Sequence, residues 1–169
     1  MPDGVTLTMN PAIDLSVSVE RVTPFHKLCS SESRRDPGGG GINVARVMKR
    51  LGADVTAIYP AGGTLGQLLR QLVDQEGISQ ITIPIANETR EDFTVNERTT
   101  GFQYRFVLPG PPLTELDWHA CLSRMMRPRA SWCVAAACRP ECRMTFTAAS
   151  SKRRGGPAGK LSSTVRGRR

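Results

Sequence analysis

The run Gly38-Gly39-Gly40-Gly41-Ile42-Asn43-Val44-Ala45-Arg46 has the composition to engage an anion. Glycines carry no side chain, so several backbone N–H groups can converge on one polar ligand. A helix starting behind them would add the positive end of its dipole. By itself the run fits a flexible turn before an ordinary helix equally well. No Gly-Lys-Ser/Thr follows, so it is not a nucleotide P-loop. No Gly-x-Gly-x-x-Gly frame with a downstream acid marks a dinucleotide fold. Other side chains of interest lie apart in sequence. Asp14 stands at the mouth of an alternating stretch, where an acid can simply cap a turn. His26 and Lys27 fall in a polar connection, and a lone histidine lacks the partners a metal site needs. Arg90 precedes and Arg105 lies within a pair of short strands; guanidinium there is either a solvated outer-face group or a two-pronged phosphate clamp.

The elements that must position these groups follow from periodicity. Val5 to Met9 alternates as a strand closed by Asn10-Pro11, and Leu15, Val17 and Val19 suggest a second. Behind the glycines, Val44, Val47, Met48 and Leu51 fall at i, i+3, i+4 and i+7, which predicts one buried helical stripe capped at Gly52. Val55 to Tyr59 reads as a compact strand, and Pro60-Ala61-Gly62-Gly63 as a turn. Thr64 is the expected cap of the next helix, whose Leu65, Leu68, Leu69 and Leu72 form a stripe ending at Gly77. Ile81 to Ile85 supplies another strand. Strand alternating with helix implies an α/β sheet with crossovers. Phe93 to Asn96 and Phe102 to Val107 then read as an antiparallel hairpin. After Pro109-Gly110-Pro111-Pro112, Thr114-Glu115-Leu116-Asp117 opens a helix running toward Met125.

Composition hides two chains in one. The net charge of +8 over 169 residues resembles a nucleic-acid signature, but residues 1–130 hold 14 Lys+Arg against 14 Asp+Glu. The last 39 residues hold 9 basic residues and only Glu141. Cys29 stands alone in the first 120 residues, whereas Cys121, Cys133, Cys138 and Cys142 follow. Those four include no Cys-x-x-Cys pair, and His119 does not complete a zinc set, so no metal ligand is assigned. The start, Met1-Pro2-Asp3-Gly4, carries no secretion pattern, and no apolar run approaches a bilayer's thickness. The expectation is a cytoplasmic protein without a membrane partner. The basic end, Lys152 to Arg169, lacks interleaved aromatics, so it reads as a disordered polycation capable at most of nonspecific polyanion binding, not specific nucleic-acid recognition.

Thr6-Leu7-Thr8-Met9-Asn10-Pro11-Ala12-Ile13-Asp14, Pro37 to Arg46, Gly52, the Pro60-Ala61-Gly62-Gly63 stretch and Gln103-Tyr104-Arg105-Phe106 together resemble the ribokinase-like phosphofructokinase B sugar kinases. The likeness is greatest to the hexose-phosphate branch, with the minor 6-phosphofructokinase, 1-phosphofructokinase and tagatose-6-phosphate kinase. It covers about residues 4–127. It implies the N-terminal part of a three-layer α/β/α, Rossmann-like domain over residues 1–126, with a small β-sheet lid that commonly also forms a dimer contact. It makes Asp14 a ligand for sugar hydroxyls. Gly38, Gly39, Gly40, Gly41 and Asn43 become the wall of the sugar site, and Lys27, Arg90 and Arg105 the receivers of the substrate phosphate. The partner is then a hexose phosphate: fructose 6-phosphate, fructose 1-phosphate or tagatose 6-phosphate. ATP and Mg2+ serve the intact family, whose nucleotide site and Gly-Ala-Gly-Asp motif lie further along the chain. That motif occurs nowhere in these 169 residues, so no catalytic residue is assigned and ATP binding by this chain is not expected.

Residues 127–169 carry a second expectation. Back-translated with full codon degeneracy and read from the third base of each codon, Trp132 onward permits Ser-Gly-Ser-Leu-Pro-Pro-Gly-Val-Pro followed by a helix-like run. This is what the family shows next. The pattern implies a reading-frame slip near Met126 to Ser131, with a disordered, out-of-frame tail and the C-terminal part of the domain missing. Two readings of function follow: a hexose-phosphate kinase lineage that retains its sugar-phosphate site, or a non-catalytic fragment that binds sugar phosphate weakly or does not fold.

Overall fold

The computed structural model describes residues 2–125. The expected out-of-frame tail, its basic run and Cys133, Cys138 and Cys142 lie outside the described residues. The chain forms β1 (Gly4–Leu7), β2 (Ala12–Val19), β3 (Glu32–Gly38), α1 (Gly40–Arg50), β4 (Val55–Ala61), α2 (Gly63–Gln75), β5 (Ser79–Pro84), β6 (Arg90–Glu97), β7 (Gln103–Phe106) and α3 (Glu115–Met125).

Two sheets result. The body sheet is parallel, in the order β1-β4-β5. One face buries Val55, Ala57, Tyr59 and Ala61 against Ile42, Ala45, Leu69 and Val73 of α1 and α2. The other buries Val5, Leu7, Ile58 and Ile83 against Cys121, Trp118, Leu122 and Met125 of α3. Apolar side chains on both faces of β4 need helices on both sides, and the three layers supply them. Among the described residues, no helix is long and apolar enough to cross a membrane.

The second sheet, ordered β3-β2-β6-β7, is the lid. The expected hairpin is present as the antiparallel pair β6-β7. In addition, β6 lies parallel to β2 along its whole length, a pairing no local pattern announces. This brings Asp14 from the expected strand mouth into the interior of the sheet, because β2 begins at Ala12 and has a neighbour on each side.

Several local expectations need correction. The stripe on α1 has the right period but the wrong phase. Its buried face is Gly41, Ile42 and Ala45, while Val47 and Leu51 are 54% and 81% exposed. The reason is the close approach of the helix start to β1: a Cβ on Gly41 would lie 2.5 Å from the Leu7 carbonyl oxygen. That contact turns the inward face about a third of a turn from the Val44/Val47/Met48/Leu51 stripe, of whose members Met48 still packs against the core. Gly52, with φ +86°, ends α1 as expected. Pro60 and Ala61 are the end of β4 rather than a turn. Pro60 is tolerated in this central strand because its nitrogen points toward β1, whose pairing has already stopped at Leu7 opposite Ile58. Thr64 does not cap α2. Gly62 holds that position, and the first N–H groups are met from the segment before β6: Leu65 donates to the Glu88 carboxylate at 2.5 Å and Gly62 to the Thr89 hydroxyl at 3.1 Å. By contrast, α3 opens at the expected Thr114–Asp117 stretch, through a capping box in which Asp117 N–H donates to Thr114 Oγ1 at 3.2 Å and Thr114 N–H to Asp117 Oδ2 at 2.8 Å.

Candidate functional site

The site is built where β3 runs into α1. Gly39, with φ +112°, turns the chain so that α1 can start at Gly40 directly beside the end of β1. No side chain of its own loop caps the helix. Instead the buried Thr8 hydroxyl accepts the Ile42 N–H at 2.9 Å, which occupies one of the helix-start donors that the sequence offers to an anion. Asn43 is exposed on the first turn, its N–H donating to the Gly39 carbonyl at 2.9 Å.

The lid contributes the charged groups. Residues paired across neighbouring strands point to the same face of a sheet. Asp14 pairs with Asp36 of β3 and Asp92 of β6, so three carboxylates stand side by side on the inner face. One row toward the body, Ala12 pairs with Gly38 and Arg90. One row outward, Arg34, Ser16, Thr94 and Arg105 stand abreast. Glycine at position 38 leaves room for the Asp14 carboxylate, since a Cβ there would lie 2.5 Å from Asp14 Oδ2. Asp14, Ser16, Arg34, Asp36, Thr94, Gln103 and Arg105 of this sheet, with Arg46 of α1, line an open cleft of about 300 Å³.

Cations meet two of the three carboxylates. Asp36 Oδ1 accepts from Arg34 at 2.7 Å and lies 3.4 Å from Arg46. Asp92 Oδ1 accepts from Arg90 at 2.9 Å. Asp14 is half-buried between them. Burial first, then the Asp92 charge, pushes its carboxyl above the ordinary value; Arg105 and Arg90 pull it back, and Asp36 adds a smaller push upward. Arg90 also donates to the Leu108 carbonyl at 3.0 Å and the Asn10 carbonyl at 3.4 Å, so it joins the lid to the loops beneath it. Its buried Nε has no protein partner. Lys27 lies in the exposed connection between β2 and β3, outside this row.

The structure thus brings together Asp14, Arg90, Arg105 and the Gly38–Gly41 run, with Asn43 on the adjoining turn. Asp36, Arg34 and Arg46 also line the cleft, and Asp92 stands in the carboxylate row; they carry no local sequence signal, because strand register brings Asp36, Asp92 and Arg34 to Asp14 and helix packing brings Arg46. Among the described residues, no group of three or more His, Cys, Asp or Glu is arranged to hold a metal ion.

A layered α/β body carrying a four-stranded lid, with carboxylates and guanidiniums on the lid's inner face, is the N-terminal part of a ribokinase-like fold. The profile of the pfkB family carbohydrate kinases matches residues 7–124, and the chain belongs to that family. It is 52% identical over 130 residues to ATP-dependent 6-phosphofructokinase isozyme 2 of Mycobacterium tuberculosis, covering 77% of this chain and 38% of that protein. The isozyme 2 of Escherichia coli K12 is 41% identical over 110 residues, covering 65% and 36%. Phosphofructokinase-2 from Escherichia coli, solved in complex with fructose-6-phosphate, superposes with a TM-score of 0.75 at 34% identity, over 80% of this chain and 45% of that one. The chain therefore spans less than half the length of these relatives.

Proposed function

We propose that this chain carries the acceptor-sugar half of an ATP-dependent hexose-phosphate kinase, with fructose 6-phosphate as the first substrate to test and fructose 1-phosphate and tagatose 6-phosphate as the alternatives. One juxtaposition carries the reading: a half-buried, uncrowned Asp14 beside a glycine-lined helix start, flanked by Arg90 on one side and Arg105 on the other. A carboxylate is an acceptor for sugar hydroxyls, and guanidinium is suited to phosphate oxygens. Asp14 would hold the hydroxyls. Gly38, Gly39, Gly40, Gly41 and Asn43 would form the wall, and Arg90, Arg105 and Lys27 would take the phosphate. The unpartnered Nε of Arg90 favours its part in this set.

ATP would supply the γ-phosphoryl group, with Mg2+, in the complete kinase. Phosphoryl transfer depends on positioning and charge stabilisation around the donor, and the Gly-Ala-Gly-Asp sequence that the family resemblance calls for is absent from these residues. We infer that this chain binds the sugar phosphate without transferring a phosphoryl group, and that residues 127–169 are translated out of frame. The apolar outer face of the lid favours a homodimer, and the reading as a metabolic kinase favours a cytoplasmic setting.

Isothermal titration of the chain with fructose 6-phosphate, beside a coupled assay for ADP formation, tests the reading. Saturable heat without ADP supports it; no heat removes the retained site, and ADP formation removes the inferred inactivity. Sequencing the gene across the codons for residues 120–135 tests the frame: a missed base restores a full kinase, and an in-frame continuation unlike the back-translated one ends the frame argument.

A further inference from the structure

Arg46 does more in this structure than line the cleft. It projects from α1 and is 14% exposed, with each nitrogen of its guanidinium engaged. Nε donates to Glu76 Oε1 at 2.8 Å, and Nη2 lies 2.6 Å from the same oxygen. Glu76 is the C-cap of α2, and its other oxygen faces Arg50 at 3.7 Å. On the opposite side, Nη1 donates to the Pro37 carbonyl and Nη2 to Asp36 Oδ1, both at 3.4 Å. The residues on this side, Asp36 and Pro37, are the last of β3 before Gly38 and Gly39. Arg46 thus ties the end of the lid strand to both helices of the body, at the point where the chain enters the sugar wall.

The charges around Asp14 give the tie a second consequence. Asp36 and Arg34 face it from β3, Asp92 and Arg90 from β6, Arg105 from β7, and Arg46 approaches from α1. Arg34 is largely solvent-exposed, so its charge is screened more than that of Arg46.

We propose that Arg46 is a positioning residue of the sugar-phosphate site: anchored on Glu76, it fixes the β3-to-glycine segment and neutralises Asp36, so that Asp14 stays available as an ionised acceptor. The proposal rests on the sugar-phosphate reading above for its effect on binding, but its electrostatic part concerns the protein alone.

Two variants of the full chain test it, Arg46→Met and the exchange Arg46→Glu with Glu76→Arg, which keeps an α1–α2 ion pair but leaves Asp36 with the exposed Arg34 as its cation. The first readout is the carbon-13 titration of the Asp14 side-chain carboxyl. Loss of a nearby cation raises a carboxyl's titration midpoint, and in both variants it is expected to move up by about 0.5–1 pH unit. The second is fructose 6-phosphate affinity at pH 7, expected to fall about tenfold, with its acid limb moved the same way. Arg46→Lys, which keeps the charge, is expected to restore the Asp14 midpoint but only part of the affinity. An unmoved midpoint in a folded Arg46→Met chain, or an exchange variant that titrates and binds like the original, overturns the proposal and leaves Arg46 as a clamp between helices. If the unaltered chain fails to bind fructose 6-phosphate while the Asp14 shift appears, the sugar-phosphate reading falls and the electrostatic role stands.

Discussion

The hydroxyl of Thr8, at the end of β1, accepts the backbone N–H of Ile42 in the first turn of α1 at 2.9 Å, and both residues are fully buried. A residue 34 positions away therefore does what a helix's own N-cap usually does. Replacing Thr8 with Val keeps the volume and leaves the Ile42 N–H buried without a partner. A loss of about 1–3 kcal/mol is expected, read as a lower midpoint in urea with an unchanged slope. An unchanged midpoint would show that the contact contributes nothing.

Gly38 and Gly39 should fail differently when changed to alanine. At Gly39, φ is +112° and a Cβ would lie 2.6 Å from Thr8 Cγ2, so Gly39→Ala is expected to cost on the order of 2–4 kcal/mol and to reduce folded yield. At Gly38 the backbone is ordinary strand and the clash is with the Asp14 carboxylate. Gly38→Ala is therefore expected to stay folded by circular dichroism while losing about tenfold or more in fructose 6-phosphate affinity, the cost of displacing one charge-assisted contact. Equal effects on folding and binding at the two positions would contradict this division.

Asp14 sets a stability cost against a binding gain. Its carboxyl is raised in the folded chain, chiefly by burial, so the fold disfavours the ionised form. A group of this kind adds to stability below its unfolded pKa, and the addition is lost as pH rises through the folded pKa. Asp14→Asn is thus expected to melt higher than the original chain at pH 7, and the difference should close as pH falls through the Asp14 titration. The same variant should lose fructose 6-phosphate binding. Thermal melts between pH 3 and 8, with titration at pH 7, check both; a variant that melts lower at pH 7 would overturn the electrostatic account.

The outer face of the lid presents Leu15, Phe93 and Phe106 in one row and Val17, Val95 and Tyr104 in the next. Phe106 is 54% exposed, with its ring centroid 6.2 Å from that of Phe93. If this face pairs with a second copy, as proposed, sedimentation equilibrium should give a dimer for the chain and a monomer for Phe106→Glu. A monomeric original chain would remove the proposed partner.

Much of this molecule was legible from residue order alone. Alternating and helical periods located the strands and helices, because solvent on one side and core on the other impose those periods locally. Thr114 to Asp117 announced the start of α3, and the glycine run announced a loop leading into α1. The motifs that carried the family resemblance also lie within short stretches, so they could be read without any knowledge of contacts.

Phase, register and distant partners were decided only by tertiary structure. Val47 and Leu51 belong to a correct apolar period, yet they face solvent, because the approach of Gly41 to Leu7 fixes which side of α1 turns inward. Asp36 and Asp92 stand beside Asp14 only through the β2-β3 and β2-β6 registers, and a shift of one residue would send either side chain to the other face. The caps of α1 and α2 come from Thr8 and Glu88, on other segments of the chain. Sequence determined the elements and the kind of site; the packing of distant segments determined which charges meet in it, since no local period encodes a neighbour across a sheet.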